Sequence, residues 1–162
     1  MSALRKPMHL LDETARPEWI DYNGHLYDGY YGVVFARAID AFIERIGLTA
    51  AVREATRHTV YTLETHTRFL REVRLGAPLA VACQVLEADG KRVRVFLTMR
   101  DTGRDILAAT SEQLLMSIDQ GGEMPKAAPW LPESGAVVAA LAAKHAHLPA
   151  PEGAGRSIAI RR

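Results

Sequence analysis

The chain has 162 residues, 48% of them hydrophobic and 24% charged, enough apolar material for one domain with a sizeable core and too little chain for a second full domain. Lys and Arg outnumber Asp and Glu by only 20 to 19, so no global positive field points to nucleic acid or to an anionic membrane, and any phosphate must be held locally. A single cysteine, Cys83, excludes an intrachain disulfide and a thiolate zinc site and fits a reducing compartment.

The first residues, Met1 to Pro7, carry no apolar signal core, and no run of about 18 apolar residues is present to span a bilayer. A cytoplasmic protein is therefore expected. Met8 to Thr14 reads as a short extended segment that enters a loop at Pro17. From Asp28, an expected N-cap, to Ile46, apolar residues recur at Tyr31, Val34, Phe35, Ala38, Ile39, Phe42 and Ile43, the spacing of a helix. Val33, Ala36 and Ala41 widen that stripe, so the helix is expected to be mostly buried. Gly47 can end it, and Thr49 opens a second short helix over 50–56.

The period then becomes two. Tyr61, Leu63, Thr65, Thr67 and Phe69 alternate with Val60, Thr62, Glu64, His66 and Arg68, which predicts a strand with Glu64, His66 and Arg68 on one side. Three more strands follow, over 79–86, 92–99 and 106–118, separated by turn signals at Asp89-Gly90 and Asp101-Thr102-Gly103. On the last of them Glu112 interrupts an otherwise apolar-leaning face, where burial demands an arginine or a backbone N–H as partner. Gly121-Gly122 closes the sheet, Pro125, Pro129 and Pro132 mark a linker, and an Ala-rich helix over 133–147 precedes a loose basic tail. His145 and His147 are too close to share a helical face, and no metal site or cofactor is expected. The elements amount to an α+β chain in which a twisted antiparallel sheet wraps one long helix.

The segment Asp21-Tyr22-Asn23-Gly24-His25 concentrates a carboxylate, an amide, a glycine and an imidazole just ahead of that helix. Its N-terminal N–H groups and dipole favour developing negative charge. Asp21 is either a proton-transfer group or a carboxylate that caps a turn. Asn23 either orients water or belongs to the turn, and His25 either donates to a substrate or is structural. Six of the eleven aromatic residues, Trp19, Tyr22, Tyr27, Tyr30, Tyr31 and Phe35, crowd this region.

The element order and the Asp-x-Asn-Gly-His segment resemble the hotdog-fold thioesterases of the 4-hydroxybenzoyl-CoA thioesterase type. Within that superfamily the chain is most similar to thioesterases of carnitine breakdown that act on betainyl-CoA and also occur fused to L-carnitine dehydrogenase. This closer likeness rests on residues 16–25, on Glu64-Thr65-His66 with Arg68-Phe69-Leu70-Arg71-Glu72-Val73, on Glu112-Gln113, and on the tail from Pro129. One departure is Tyr27, where the family usually has asparagine.

The resemblance implies a hotdog domain over 1–119, with 120–162 as linker, helix and tail, either part of the same domain or a dimer-packing extension. It implies an acyl-CoA thioesterase with Asp21 as general base or nucleophile, assisted by Asn23 and His25. Oxyanion donors would be backbone N–H groups near Gly24, Gly29 and Tyr30. Trp19, Tyr22, Tyr27 and Tyr30 would cage a trimethylammonium head. Arg68, Arg71, Arg74, Arg92 and Arg94 are the candidates for CoA phosphates. Glu64, His66 and Glu112 are possible supporting or cross-dimer groups, and a homodimer or higher homo-oligomer is expected. The competing readings are a thioesterase for another short or aromatic acyl group, a hotdog hydratase or isomerase, and a non-catalytic acyl-CoA-binding module.

Overall fold

A computed structural model describes residues 6–160; most of the segment read as lacking a signal core, and the last two residues of the basic tail, lie outside it. Strand β1 (Met8–Thr14) and a single 3-10 turn (Pro17–Trp19) lead into helix α1 (Asp28–Arg45), followed by α2 (Ala50–Thr56). Strands β2 (His58–Phe69), β3 (Pro78–Ala88), β4 (Arg92–Asp101) and β5 (Ile106–Asp119) follow, then a two-residue β6 (Lys126–Ala127) and helix α3 (Pro132–His145). The sheet order is β1-β3-β4-β5-β2, antiparallel throughout, with β6 added to β5. It curls around α1 in the hotdog arrangement.

The helical spacing read from the sequence has its consequence here. Val34, Phe35, Ala38, Phe42 and Ile43 of α1 share one core with Leu79, Val81, Cys83 and Val85 of β3 and Val93, Val95, Leu97 and Met99 of β4. Those strand residues alternate, so each turns to the same face of the sheet. Trp130 and Val138, from the segment leading into α3 and from α3 itself, belong to that core. The His145 Nδ1 accepts the Val85 N–H at 2.8 Å, beyond the point where β1 stops pairing with β3.

Three local expectations change. The N-cap of α1 is Tyr27, not Asp28; Asp28 is the first helical residue, and its Oδ1 accepts the Gly29 N–H. The alternation in β2 breaks because Thr62 pairs with Leu115 and Glu64 with Leu114, leaving Leu63 as a bulge. One extra residue inverts the parity, so Val60 and Thr62 share the helix-facing side with Thr65, Thr67 and Phe69, while Tyr61 joins Glu64, His66 and Arg68 on the outer side. Thr65 and Thr67 both reach the Ser111 hydroxyl on the inner side, at 3.1 and 3.3 Å. Finally, the wide apolar stripe of α1 is not covered throughout: Val33 is 41% exposed and Ala36 is exposed, Ala36 on the flank that shares a groove with Val60 and Thr62 of the edge strand β2.

Candidate active site

Residues 20–27 form a tight loop because Asp21 organises it. Its Oδ1 accepts the Asn23 N–H at 2.8 Å and the His25 N–H at 3.2 Å, and its backbone carbonyl accepts the Gly24 N–H at 3.0 Å. Gly24 has φ +79°, a backbone angle that side chains disfavour, which accounts for glycine at this turn. The loop is pinned to the body of the fold by Leu26 N–H to Val73 O and Tyr27 N–H to Trp19 O, at 2.8 and 2.9 Å. Asp21 thus takes the turn-capping role that the sequence offered as one of its two readings. One oxygen holds the turn, and the other, Oδ2, makes no hydrogen bond among the described residues.

Beside it opens a groove of about 480 Å³, bounded by Asp21, Tyr22, Tyr27 and Asp28 from the loop and helix start, Tyr31 from α1, Phe69 at the end of β2, and Leu70 to Glu72 after it. Tyr31 packs edge-on against Phe69 with ring centroids 5.1 Å apart, and its hydroxyl donates to the Arg71 carbonyl at 3.3 Å. Burial pushes the Tyr31 phenol above its ordinary pKa, so it stays a neutral donor. Phe69 escapes a reading of the sequence as an inner strand residue; only the curl of the sheet brings it, 54% exposed, to the groove. Glu72 is held ionised, below the usual carboxylate range, by its own backbone N–H and by Arg104. Its Oε1 lies 3.5 Å from Arg104 Nη1 and 3.8 Å from Arg74 Nη2.

The donors expected for an oxyanion are already engaged. Gly24 N–H is used by Asp21 O, Gly29 N–H by Asp28 Oδ1 at 2.9 Å, and Tyr30 N–H by Tyr27 O at 2.9 Å. Between Trp19 and Tyr30, the N–H groups of Tyr22 and Asp28 have no partner among the described residues, and both residues border the groove. Asp28 holds the first of the orphan N–H groups that every helix start leaves.

The aromatic residues also divide. Trp19 is buried, with Tyr30 stacked on its ring at 5.6 Å and the Arg16 guanidinium 4.8 Å from the ring centroid. That packing occupies Trp19 and Tyr30, and neither borders the groove; Tyr22, Tyr27, Tyr31 and Phe69 do. Asn23 and His25 contribute backbone to the loop, but their side chains are not among the groove walls. Phe35 lies deep in the core.

Glu64 and His66 sit on the outer side of the sheet, with Arg94, Glu112 and the tail around Gly155, and do not meet Asp21 within the chain. Glu112 has the partners its position demands: Oε1 accepts from Arg94 Nη1 at 2.6 Å and Oε2 from the Gly155 N–H at 2.7 Å. Of the five candidate phosphate-binding arginines, Arg94 is therefore committed to Glu112 and Glu87, Arg92 to Asp89, and Arg68 to the Glu152 carbonyl. Arg71 borders the groove, and Arg74 lies next to the loop through its bridge with His25.

An antiparallel sheet curled around one long helix, with this loop just ahead of the helix, defines a hotdog-fold protein. The chain belongs to the thioesterase-like superfamily, whose family model matches residues 15–143. It is 44% identical over 144 residues to the betainyl-CoA thioesterase of Pseudomonas aeruginosa, covering 89% of each chain. It is 36% identical over 156 residues to the L-carnitine dehydrogenase/betainyl-CoA thioesterase of Rhizobium meliloti, covering 96% of this chain and 31% of that longer one. Its fold superposes with a TM-score of 0.86 on a Staphylococcus aureus protein solved in complex with CoA, at 30% identity, covering 99% of this chain and all of the other. No helix among the described residues is long and apolar enough to cross a membrane.

Proposed function

We propose that this enzyme hydrolyses betainyl-CoA to glycine betaine and CoA at the groove beside Asp21. The observation that carries the chemistry is the pairing, on one groove, of a carboxylate with an uncommitted oxygen and unpartnered backbone N–H groups. Asp21 Oδ2 takes a proton from the attacking water, or attacks the thioester carbon itself. The Asp28 and Tyr22 N–H groups stabilise the oxyanion, at roughly 10²–10³ in rate for a well-placed donor. The C–S bond then breaks and CoA leaves as a thiolate of pKa about 8.5, which needs no strong general acid. The choice of acyl group is supported by the 44% identity to a betainyl-CoA thioesterase and by the four aromatic rings at the groove, which suit a trimethylammonium head.

Arg71, on the groove, and Arg74, beside the loop, are the arginines assigned to the CoA phosphates, and the likeness to a Staphylococcus aureus protein solved in complex with CoA supports CoA as the ligand. The working unit is a homodimer: β2 leaves one edge of the sheet unpaired, and Tyr61 and Leu63 are exposed on it, an arrangement that a second copy covers.

The test is thiol release from betainyl-, short-chain, aromatic and long-chain acyl-CoAs, with Asp21→Asn alongside. Turnover of betainyl-CoA that drops at least about 100-fold in the variant supports the proposal. Release from other acyl-CoAs alone keeps a thioesterase and discards the betainyl head. Single turnover in ¹⁸O water tests the nucleophile role: unlabelled product with label in the Asp21 carboxylate identifies a mixed anhydride opened by water at the Asp21 carbonyl, whereas labelled product means that water attacked the acyl carbon, directly or on an anhydride.

A further inference from the structure

Glycine betaine has the heavy-atom skeleton of an amino acid, so its quaternary nitrogen lies only about 2.5 Å from the carbon that reacts. The cationic head therefore cannot occupy a remote subsite. Whatever recognises it must border the same groove as Asp21.

Three carboxylates border that groove, those of Asp21, Asp28 and Glu72, against one guanidinium, Arg71. Asp21 holds the loop through Oδ1 and is assigned to the reaction through Oδ2, and Glu72 is held by Arg104 and Arg74. The carboxylate of Asp28 forms no ion pair among the described residues, and its one hydrogen bond is to the neighbouring Gly29 N–H. It sits at the first residue of α1, beside the exposed Tyr27 ring. For a neutral acyl group this placement is unfavourable, because a fixed negative charge borders the spot where an oxyanion develops. A quaternary ammonium attached to the reacting carbon's neighbour reverses that balance.

We infer that Asp28 is a specificity-determining residue, its carboxylate selecting acyl groups with a quaternary ammonium next to the thioester while Tyr27 and Phe69 supply the apolar and π surface around the methyl groups. The inference rests on the betainyl-CoA reading above.

The probe is a pair of thioesters of one shape: betainyl-CoA and 3,3-dimethylbutanoyl-CoA, in which carbon replaces the charged nitrogen. The quantity read is the ratio of their kcat/KM values, which cancels any damage common to both, such as loss of helix-start stability or a shift of the backbone N–H. For charges taken to be about 5–6 Å apart in a partly solvated groove, Asp28→Asn lowers the ratio by about 5- to 100-fold. Asp28→Glu, which restores the charge, recovers most of it, and Asp28→Ser repeats the loss in a residue favoured at helix starts. An unchanged ratio in folded Asp28→Asn and Asp28→Ser overturns the role of Asp28 and leaves the betainyl-CoA reading standing. A wild-type enzyme that hydrolyses the neutral isostere and not betainyl-CoA overturns both.

Discussion

Replacing Glu112 with alanine tests whether the outer-face contact is a structural latch. Glu112 is 12% exposed at its side chain and Arg94 31%, so the pair is shielded enough for its bonds to count and open enough to keep the value well below that of a deeply buried pair. The substitution removes two charge-assisted hydrogen bonds, to Arg94 at 2.6 Å and to the Gly155 N–H at 2.7 Å. Arg94 keeps Glu87 at 2.8 Å, and the Gly155 N–H returns to water, so neither group is left buried and unpaired. At about 1–2 kcal/mol for each lost bond, the cost is about 2–4 kcal/mol, which for a chain of this size lowers Tm by about 4–16 °C. Circular dichroism on heating reads that shift. Trypsin reads the latch itself, because freeing Gly155 exposes the peptide bond after Arg156 to faster cleavage. Glu112→Gln, which still offers an acceptor, should lose about half as much. An alanine variant that melts within about 2 °C of wild type and is cleaved at the same rate would refute the latch. A loss of turnover without any loss of stability would instead move Glu112 into the chemistry.

Two other expectations concern buried groups. The Cys83 thiol is wholly buried and its pKa is pushed up to about 12 by that burial, so a thiol reagent at pH 8 should leave the native enzyme unmodified and titrate one thiol only after denaturation. Rapid reaction in the native state would contradict the packing of β3. Burial, with a small contribution from Lys144, holds His145 below its ordinary pKa, and its Nδ1 must stay unprotonated to accept the Val85 N–H. Below the unfolded value of about 6.5 the unfolded chain binds this proton and the folded chain does not. Stability is therefore complete above that pH and falls as pH drops toward the folded pKa. Urea midpoints between pH 7.5 and 5.5 should show a shallower decline in His145→Gln, and superimposable profiles would assign the decline to other groups.

Much of this protein is legible in its sequence. The turn from helical to two-residue periodicity near Thr59, the Asp89-Gly90 turn and Gly47 after α1 gave the order of elements, and Asp21-Tyr22-Asn23-Gly24-His25 marked the loop. Thr49 was readable as a cap, and its Oγ1 accepts the Val52 N–H. The reason is that periodicity, capping and turn chemistry act over a few residues, so each signal lies wholly within its own segment. Glu112 was conspicuous for the same reason, since burial of a carboxylate demands a partner whatever that partner proves to be.

The occupancy of the site belonged to the tertiary structure. Whether an N–H is free depends on what faces it, and that of Leu26 meets Val73, far along the chain, while that of Asp28 meets no acceptor among the described residues. Trp19 reads as a cage residue until Arg16 and Tyr30 take its ring faces. Phe69 joins the groove only through the curl of the sheet, and the bulge at Leu63, which inverts half of β2, is set by its pairing with β5. The sequence by itself determined which segments fold as helix, strand and loop, and which carboxylate heads the loop. The packing of segments far apart in the chain decided which donors, rings and charges were left over for a substrate, because only there do the groups that satisfy or expose one another come within reach.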